Sequence, residues 1–505
     1  MTERTARAAS FLPAGPLALF GLYLVVMLVQ SALLAPSGRS DDLETLLLAQ
    51  SLEWGYHAKN PPAFYWLAHG VMAATGPSLP VIYALRLAGI FAMVAGLYAL
   101  ARRVQPDPLL AACAGFGVLA MLHFHWYLMF HLTNTALALA LAPALVLAVL
   151  NVRQRGSVGA YALVGLAAGL GLLARYNFLL LVVALLVAAL TLPEWRRLLM
   201  RRRMLAAVAV AAALVGPHAA WVIGNAGTLA GHAGAQLVGE APYAARVAAG
   251  LAGFVEAAAS VLASFGVVAL LCFPGAFRPL TVGDPARAAA LALIGRTLVA
   301  GLALVAAATL AGLSYVRPHH LFFLVLAPVW LIGRLDRAAL RPWAAPAFAA
   351  ALVLLCLAAA VALPIETRRD AADCDACEEF QPVETYAHVL RAAGFSRGTI
   401  LALSRRQDFP TAALAMHFPD ARLVAADYTV YAPPHGAVPG DCLIVWSGAA
   451  DWPEGWGPAA SVPWLGLPLP TEAAIGQVTG RLHVSGRPTP GMRYALVKGG
   501  LGDCR

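Results

Sequence analysis

Long apolar segments recur through the first 363 residues, and most approach the ~20 residues that an α-helix needs to cross a bilayer. Of all residues, 60% are hydrophobic and 12% are charged, whereas soluble domains carry about 25% charged residues. The pattern predicts a polytopic α-helical membrane protein of about eleven transmembrane helices. The predicted spans are 15–35, 81–101, 108–124, 132–150, 158–174, 177–193, 203–223, 248–274, 288–312, 319–333 and 342–363.

Basic residues indicate how these spans are oriented, because cytoplasmic loops are rich in Lys and Arg. They fall on alternate loops: Arg4/Arg7, Arg102/Arg103, Arg153/Arg155, Arg196 to Arg203, Arg278/Arg287 and Arg334/Arg337/Arg341. This predicts a multi-pass inner (plasma) membrane protein with a cytoplasmic N-terminus, held by a signal anchor, and a periplasmic C-terminus. The net charge of +9 then reflects loops that face anionic lipid, rather than binding of nucleic acid.

The chain changes character after residue 363. Residues 1–363 form the predicted transmembrane domain, with a first outer loop at 36–80. Residues 364–505 carry more charged and turn residues, a helical pattern at 383–393, and short apolar runs at 398–403, 421–425, 442–446 and 494–497. Alternation of helix and strand predicts a small periplasmic α/β domain, with packing or docking as its expected role.

Four cysteines lie in this C-terminal segment. In an oxidising compartment they are expected to form disulfides, whose pairing the sequence leaves open. Cys374 and Cys377 have the spacing of a CxxC motif, so a metal or redox pair is the alternative. The residues concerned are Cys374, Cys377, Cys442 and Cys504.

The first outer loop contains an unusual concentration of polar groups, in "DDLETLLLAQSLEWGYHAKNPPAFYW" at 41–66. Residues 43–54 predict an amphipathic helix that lies flat at the membrane interface. Residues 63–74 predict a second helix, with its aromatic residues at headgroup depth. Asp41 and Asp42 are either solvated charges at a helix cap or carboxylates that accept a proton in catalysis.

Cationic and polar residues of other loops are predicted to share this outer face. Lys59, Arg175 and Arg317 are candidates to neutralise a leaving phosphate. Arg175, between two apolar runs, is alternatively an arginine that snorkels to the interface. Histidines at 123, 125 and 131, and at 319 and 320, mark two further turns. No cofactor is predicted, and a divalent metal bound there is an open alternative, although no spacing demands it.

Three groups of residues resemble a known family. They are the first-loop pattern, Leu132–Ala136, and "GLAAGLGLLARYN" at 165–177. Together they are similar to membrane glycosyltransferases of the GT-C fold. Within these, the resemblance is to the bacterial members of the protein mannosyltransferase class, including aminoarabinose transferases of lipid A and rhizobial galacturonosyltransferases. The resemblance covers residues 15–335, and its first-loop pattern comprises Asp41-Asp42, Gln50, Gly55-Tyr56, Lys59-Asn60-Pro61-Pro62 and Phe64-Tyr65-Trp66.

The resemblance implies the roles of individual residues. Asp41, with Asp42 adjacent, corresponds to the essential carboxylate, and Lys59 to a residue near the carrier phosphate. Arg175, where relatives usually carry lysine, and Arg317 correspond to further phosphate contacts. Asn134 stands where the family often has a second acidic residue, which leaves metal coordination in doubt. Expected substrate contacts are Glu44, Tyr56, His57, Asn60, His131, Asn134, Tyr176, His319 and His320.

The function implied is transfer of a sugar from a polyprenyl-phosphate carrier to an acceptor at the outer face of the membrane. The acceptor would be an envelope glycolipid such as lipid A, a glycan or a protein, and membrane lipid is a further partner. A nucleotide-binding fingerprint is absent from the sequence, which suits a lipid-linked donor. The alternatives are a transporter or flippase for a lipid-linked sugar and an inactive scaffold. A transporter would place charges at the centres of its spans, whereas here they lie at span ends.

Overall fold

The computed structural model describes residues 14–229, 231, 241–278, 282–374, 377–403, 410–425, 428, 430–436, 439–447, 475–489, 491–500 and 502–505. Arg4 and Arg7, which the orientation argument uses, lie outside these residues. The helices are α1 (Ala14–Leu34), α2 (Ser40–Leu48), α3 (Ala63–Thr75), α4 (Leu79–Val104), α5 (Pro108–Phe116), α6 (Leu128–Phe130), α7 (Thr133–Arg155), α8 (Val158–Ala174), α9 (Phe178–Leu190), α10 (Pro193–Leu199), α11 (Met204–Gly224), α12 (Tyr243–Cys272), α13 (Pro285–Leu310), α14 (Ala327–Gly333), α15 (Ala344–Asp373) and α16 (Val383–Ala392).

The predicted polytopic helical architecture is confirmed, and its span count is refined. Among the described residues, seven helices are long and apolar enough to cross a membrane, or nine if each of two bent helix pairs counts as one span. The bends are 75° between Pro108–Ala120 and His123–Phe130, and 117° between Phe178–Leu190 and Pro193–Leu199. The two remaining predicted spans, Val158–Ala174 and Pro318–Gly333, form shorter apolar helices.

Several helices begin at residues that supply a cap. The Asp107 carboxylate accepts the Leu110 N–H at the start of α5, and Ser157 and Asp284 cap α8 and α13 in the same way. A side-chain oxygen at this position satisfies one of the backbone N–H groups that the first helical turn leaves unpaired. These caps define where the connecting loops end and the apolar helices begin.

Small residues allow α8 and α11 to pack closely. A Cβ at Gly165 would overlap the carbonyl oxygen of Ala207, and one at Gly169 would lie 2.9 Å from a side-chain carbon of Leu214. Gly165 and Gly169 are four residues apart and therefore share one face of α8. Small residues on such a face let membrane helices approach each other. The contact holds α8 against α11, and Arg175 directly follows the C-terminal end of α8.

The C-terminal segment forms the expected α/β fold. Strands β1 (Gly398–Ala402), β2 (Ala421–Ala425), β3 (Asp441–Ser447), β4 (Ile475–Val478) and β5 (Met492–Val497) make one sheet in the order β2-β1-β3-β5-β4. β1 pairs in parallel with β2 and β3, whereas β5 pairs antiparallel with β3 and β4. The sequence predicted four of these strands and missed β4. Helix α15 continues past the predicted boundary at residue 364 and ends at Asp373.

The four C-terminal cysteines form two disulfides. Cys374 pairs with Cys377, and Cys442 pairs with Cys504. The second bond joins β3 to the end of the described chain, across 62 residues of sequence. The CxxC pair is therefore a disulfide in this structure.

The first outer loop is buried beneath the C-terminal domain, which corrects two expectations. The helix predicted at 43–54 ends at Leu48, and its residues from Asp42 to Leu48 are all buried. Phe64 and Tyr65 are also buried, rather than lying at headgroup depth. They belong to one apolar cluster that α2 and α3 share with α16 and the sheet. The loop therefore forms a layer between the helix bundle and the C-terminal domain.

Candidate active site

The Lys59 ammonium lies between two carboxylates of α2. Its Nζ is 3.3 Å from Asp41 Oδ1 and 3.3 Å from Glu44 Oε2. Asp41 and Glu44 are three residues apart, which places them on one face of the helix. The Lys59 and Asp41 side chains are 28% and 20% exposed, whereas that of Glu44 is 3% exposed. The cluster is therefore partly exposed on the side of Asp41 and buried on the side of Glu44.

Asp41 is also held by a backbone group of unusual conformation. Its Oδ2 accepts the Leu132 N–H at 2.7 Å. Leu132 precedes α7 and has φ 67° and ψ 50°, in the left-handed region that bulky residues rarely adopt. Such strain persists where the surrounding structure enforces it, and it is typical of functional sites. Here it directs an N–H at the carboxylate.

The charge state of Asp41 follows from these contacts. Burial opposes ionisation, but the Lys59 ammonium, the Leu132 N–H and the more distant Arg175 together hold the pKa of Asp41 below its ordinary value, despite the nearby Glu44 carboxylate. Asp41 is therefore an anion at neutral pH and can accept a hydrogen bond from a hydroxyl group.

Tyr65 is a junction for several polar side chains, although the sequence did not identify it as a site residue. Its hydroxyl donates to Glu44 Oε1 at 2.9 Å. The amide groups of Asn60 and Asn134 each donate to the same hydroxyl at 3.3 Å. Burial, above all, raises the pKa of Tyr65 well above its ordinary value, so the hydroxyl keeps its proton. Tyr65 thereby links the first loop to α7.

The tautomer of His57 can be inferred from its neighbours. Its Nδ1 accepts the backbone N–H of Lys59 at 3.1 Å, so the neutral ring carries its proton on Nε2. That nitrogen lies 3.1 Å from the Tyr65 hydroxyl and 3.7 Å from Glu44 Oε1. His57 therefore supports Tyr65 and Glu44 rather than presenting a free base.

Arg175 joins the cluster through Asn60. Its guanidinium donates to Asn60 Oδ1 at 3.0 Å, while the Asn60 amide donates to Glu44 Oε1 at 3.1 Å. Arg175 stands at the C-terminal end of α8, where a cation is favoured by the helix dipole. The structure thus brings together six of the predicted site residues from distant parts of the chain, and Asn134 joins them through Tyr65. The six are Asp41, Glu44, His57, Lys59, Asn60 and Arg175.

Asp42, the second member of the expected catalytic pair, does not share this environment. Adjacent residues of a helix point about 100° apart, so Asp42 faces away from Lys59. It forms an ion pair with Arg86 of α4, and both side chains are fully buried. Arg39 donates a further backbone hydrogen bond to Asp42 at 3.4 Å. Asp42 therefore holds α2 on the bundle.

Tyr56 and Tyr176, which are expected to contact the substrate, form hydrogen bonds outside the cluster. Tyr56 donates its hydroxyl to the Ser51 carbonyl at 2.7 Å and packs edge-on against Tyr65. The Tyr176 hydroxyl lies 3.1 Å from Nε2 of His218, and the two rings are stacked. In the structure, Tyr56 stabilises the loop and Tyr176 lies at the α8–α11 face.

The late turn that contains Arg317 lies beside the cluster without bonding to it. The Arg317 guanidinium lies 4.9 Å from the centre of the Tyr315 ring and is exposed. His320 Nδ1 accepts the Arg317 backbone N–H at 3.2 Å, and the His319 and His320 rings meet edge to face. Within the described part of the chain, these side chains make no hydrogen bond or ion pair with Asp41 or Lys59.

His131 lines a separate cavity of about 720 Å³ between α15 and the bent segment at 122–131. The cavity wall passes along α15 from Leu355 to Asp370, so one end is apolar and the other carries acidic groups. Arg39 and Glu379 complete it. Because His131 directly precedes Leu132, this cavity lies one residue from the backbone group that binds Asp41.

The described residues around Lys59 do not fit a divalent metal site. Among the described residues, no group of three or more His, Cys, Asp or Glu side chains is arranged to hold a metal ion. The two carboxylates of the cluster already share the Lys59 ammonium, which lies where a cation would bind. A divalent metal therefore stays an untested alternative.

Comparison of this chain with a protein family and with solved structures indicates its class of protein. Residues 59–221 match the family described as dolichyl-phosphate-mannose-protein mannosyltransferase. Most of the chain is similar in structure to ArnT from Cupriavidus metallidurans, solved with undecaprenyl phosphate and in the apo state. Each has a TM-score of 0.57 and 14% identity, and the matches cover 96% and 94% of this chain and 98% of theirs. The chain therefore has the GT-C fold of membrane glycosyltransferases, and the expected resemblance is confirmed.

The chain is also similar in sequence to three proteins of Rhizobium johnstonii. The lipopolysaccharide core galacturonosyltransferase RgtA is 30% identical over 267 residues, which is 52% of each chain. RgtB, of the same description, is 28% identical over 282 residues, or 55% of this chain and 56% of its own. The lipid A galacturonosyltransferase RgtD is 28% identical over 194 residues, 38% of this chain and 40% of its own. This chain spans about half the length of the first two relatives and less of the third.

Proposed function

We propose that this protein transfers a sugar from a polyprenyl-phosphate-linked donor to an acceptor of the cell envelope, at the outer face of the inner membrane. The observation that carries the proposal is the Lys59 ammonium between Asp41 and Glu44, with Arg175 joined to them through Asn60. An anionic group that accepts protons and two cations that suit a phosphate lie together beside a bundle of apolar helices.

The donor phosphate would bind to Lys59 and Arg175. An ammonium is a compact charge for a phosphate oxygen, and a guanidinium donates two parallel hydrogen bonds. The exposed Arg317 would meet the phosphate as the lipid enters. The solved ArnT complex with undecaprenyl phosphate supports a ligand of this class on this fold. Loop groups between apolar helices suit a lipid whose phosphate lies at the membrane surface.

The chemical step is a single displacement that inverts the anomeric carbon. The acceptor hydroxyl oxygen attacks that carbon and forms the new glycosidic bond, while the bond from the carbon to the phosphate oxygen breaks. The electron pair of that bond leaves with the polyprenyl phosphate, whose charge Lys59 and Arg175 stabilise. The hydroxyl proton passes to Asp41, which orients the hydroxyl before the attack.

Binding of the donor would make Asp41 a better base. In the free protein Lys59 contacts Asp41 and holds its pKa down. A phosphate competes for the same ammonium, and each interaction that Lys59 gives to the phosphate weakens its hold on Asp41. The pKa of Asp41 then rises toward the range in which a carboxylate accepts a proton more readily.

The names of the relatives suggest which sugar and acceptor to test first. RgtA and RgtB act on the lipopolysaccharide core and RgtD on lipid A, and all three are galacturonosyltransferases by description. A galacturonosyl donor and a lipopolysaccharide-type acceptor are therefore our first choice for this chain. The cavity beside His131 would receive the acceptor, because it reaches from apolar α15 residues to polar groups near Leu132.

The proposed orientation places the N-terminus in the cytoplasm and the C-terminal domain in the periplasm. The two disulfides of that domain support an oxidising compartment. A reporter that is active only in the periplasm, fused after Arg505, should be active, and the same reporter fused after Arg155 should be inactive. The reverse pattern would contradict the orientation.

Transfer itself is tested with the purified full chain in lipid nanodiscs. Polyprenyl-phosphate donors that carry galacturonic acid, aminoarabinose or a neutral hexose are supplied with lipopolysaccharide, and products are read by mass spectrometry. We expect one donor to yield a mass increase of one sugar on the acceptor. The proposal is wrong if no donor is consumed in this assay and if the acceptor from a deletion strain has the same mass as the acceptor from the wild-type strain.

A further inference from the structure

The C-terminal domain holds the first outer loop at both ends of α2. At one end, the Gln50 amide makes two hydrogen bonds of 2.8 Å with the backbone of Leu423, at the edge strand β2. At the other end, the Ser37 N–H donates to the Glu379 carbonyl at 3.4 Å, and the Arg39 Nε lies 3.9 Å from Glu379 Oε1. The helix that carries Asp41 and Glu44 is therefore fixed between these two attachments.

Between the attachments, one side chain of this domain reaches the carboxylate cluster. Tyr428 follows β2, and its hydroxyl donates to Glu44 Oε2 at 3.3 Å. This is the same oxygen that contacts Lys59 Nζ. The Tyr428 ring also meets the His57 ring edge-on, with 5.6 Å between ring centres and an interplanar angle of 86°. Tyr428 is 9% exposed, so the contact is buried within the domain interface.

We infer that Tyr428 is a positioning residue through which the C-terminal domain completes the donor-phosphate site. This inference rests on the proposed function. A hydroxyl that donates to a carboxylate oxygen satisfies part of its charge, which weakens the attraction of that oxygen for other cations. Tyr428 thereby limits the hold of Glu44 on Lys59 and leaves the ammonium available to a phosphate.

Removal of the Tyr428 hydroxyl has a directional effect. Glu44 Oε2 then draws Lys59 more strongly, so a phosphate must compete with a stronger partner. Lys59 contacts the phosphate already in the bound state, so its reduced availability weakens binding first, while the Arg175 guanidinium still stabilises the leaving phosphate in the chemical step. Tyr428→Phe is therefore expected to weaken binding of the donor lipid about tenfold, with kcat changed less than about threefold, as for a buried hydrogen bond to a charged group.

Tyr431→Phe is the matched control. Tyr431 lies in the same segment of the C-terminal domain, and its ring packs edge-on against Tyr56 with 5.0 Å between ring centres. Its hydroxyl lies 3.3 Å from Ser51 Oγ and so is directed at the loop rather than at the carboxylates. The two substitutions remove the same atom from the same interface, and only Tyr428 is linked to Glu44.

The test measures binding of undecaprenyl phosphate to the purified full chain in nanodiscs. We expect Tyr428→Phe to raise Kd about tenfold and Tyr431→Phe to change it less than twofold, as one lost hydrogen bond to a charged group predicts. In a Glu44→Gln background, the additional change from Tyr428→Phe should disappear, because the residue acts through Glu44. Equal Kd values for Tyr428→Phe and Tyr431→Phe would overturn the inference.

The outcomes separate this inference from the function on which it rests. A wild-type chain that does not bind undecaprenyl phosphate contradicts the phosphate site and the proposed function together. A wild-type chain that binds it, with Tyr428→Phe unchanged, contradicts only the role of Tyr428. If Tyr428→Phe does not fold, Gln50→Ala serves instead, because it loosens the domain at Leu423. Gln50→Ala should weaken binding of undecaprenyl phosphate and should also speed hydrogen exchange in residues 421–425. Faster hydrogen exchange without weaker binding would contradict the inference.

Discussion

Asp41 and Asp42 are adjacent on the first turn of α2, yet their carboxylates contact different cations in different surroundings. Asp41 Oδ1 lies 3.3 Å from Lys59 Nζ in a partly exposed cluster, whereas Asp42 pairs with Arg86 in the fully buried interior. The helix repeat explains this difference, since neighbouring residues point in different directions. The proposed proton transfer therefore involves Asp41 alone, and Asp42 is expected to stabilise the attachment of α2 to the bundle.

Asp42→Asn should destabilise the protein without a specific effect on the chemical step. Removal of one partner leaves the buried Arg86 guanidinium without its counter-charge, which typically costs about 3–5 kcal/mol. Thermal unfolding in detergent should show a lower Tm. The double variant Asp42→Leu/Arg86→Met should recover most of this loss, because apolar replacement of both members of a buried pair is often neutral. A wild-type Tm for Asp42→Asn would contradict the anchoring role.

Lys59→Met should raise KM for the donor lipid about tenfold or more, because a phosphate loses a charge-assisted partner. It should also move the acid limb of the pH–kcat/KM profile to higher pH. Lys59 lowers the pKa of Asp41, so without Lys59 the carboxylate takes up a proton at higher pH and the active anion is lost sooner. Lys59→Arg is the matched control and should keep the acid limb near its original position. If KM for the donor lipid and the acid limb of the pH profile are both unchanged, Lys59 does not bind the phosphate or act on Asp41.

Glu378→Gln should stabilise the protein at alkaline pH. Burial, above all, and the neighbouring Glu379 carboxylate raise the pKa of Glu378 from 4.5 to about 8. Between these values the folded protein keeps a proton that the unfolded chain releases, so stability falls as pH rises through this window. The substitution removes this loss, and its gain in Tm should grow from pH 5 to pH 9. Glu384→Gln, at a side chain that is 75% exposed, should show no such trend. A pH-independent gain would contradict the assignment.

The Cys442–Cys504 disulfide should contribute about 2–4 kcal/mol to the stability of the C-terminal domain, as expected for a loop of this length. The variant Cys442→Ser/Cys504→Ser should therefore lose protease resistance in residues 398–447 first. Cys356→Ser, at a free cysteine of α15, is the control and should digest like the wild type. Equal digestion of all three proteins would mean that the bond contributes little.

Much of the site follows from residue type and order along the chain. Lys59 before two prolines, Arg175 after an apolar run and Asp41 after the first span are charges at span ends, and span ends on one face of a membrane protein converge. The orientation of the Asp42 side chain could also be predicted, since two adjacent residues of a helix cannot both face one pocket. The structure supplies what spacing does not encode, namely the partner of each carboxylate.

Three features could not be predicted from the sequence for physical reasons. From the sequence, Tyr65 is predicted to be an aromatic residue at the membrane interface, because its burial depends on the domain that covers it. Tyr428 contacts Glu44 across 384 residues, and no local pattern links them. The left-handed conformation of Leu132 contradicts its residue type and exists only because the surrounding structure enforces it. Each depends on tertiary contacts rather than on local propensity.

The central claim is that Asp41 takes the proton of the acceptor hydroxyl, and the most direct measurement is single-turnover sugar transfer by Asp41→Asn. The amide retains the shape of the side chain but does not accept the proton, so transfer should slow by about 100-fold or more. Undecaprenyl phosphate should still bind, and Tm should stay close to that of the wild type. A variant that transfers sugar at the wild-type rate, with the donor bound equally well, would contradict the account.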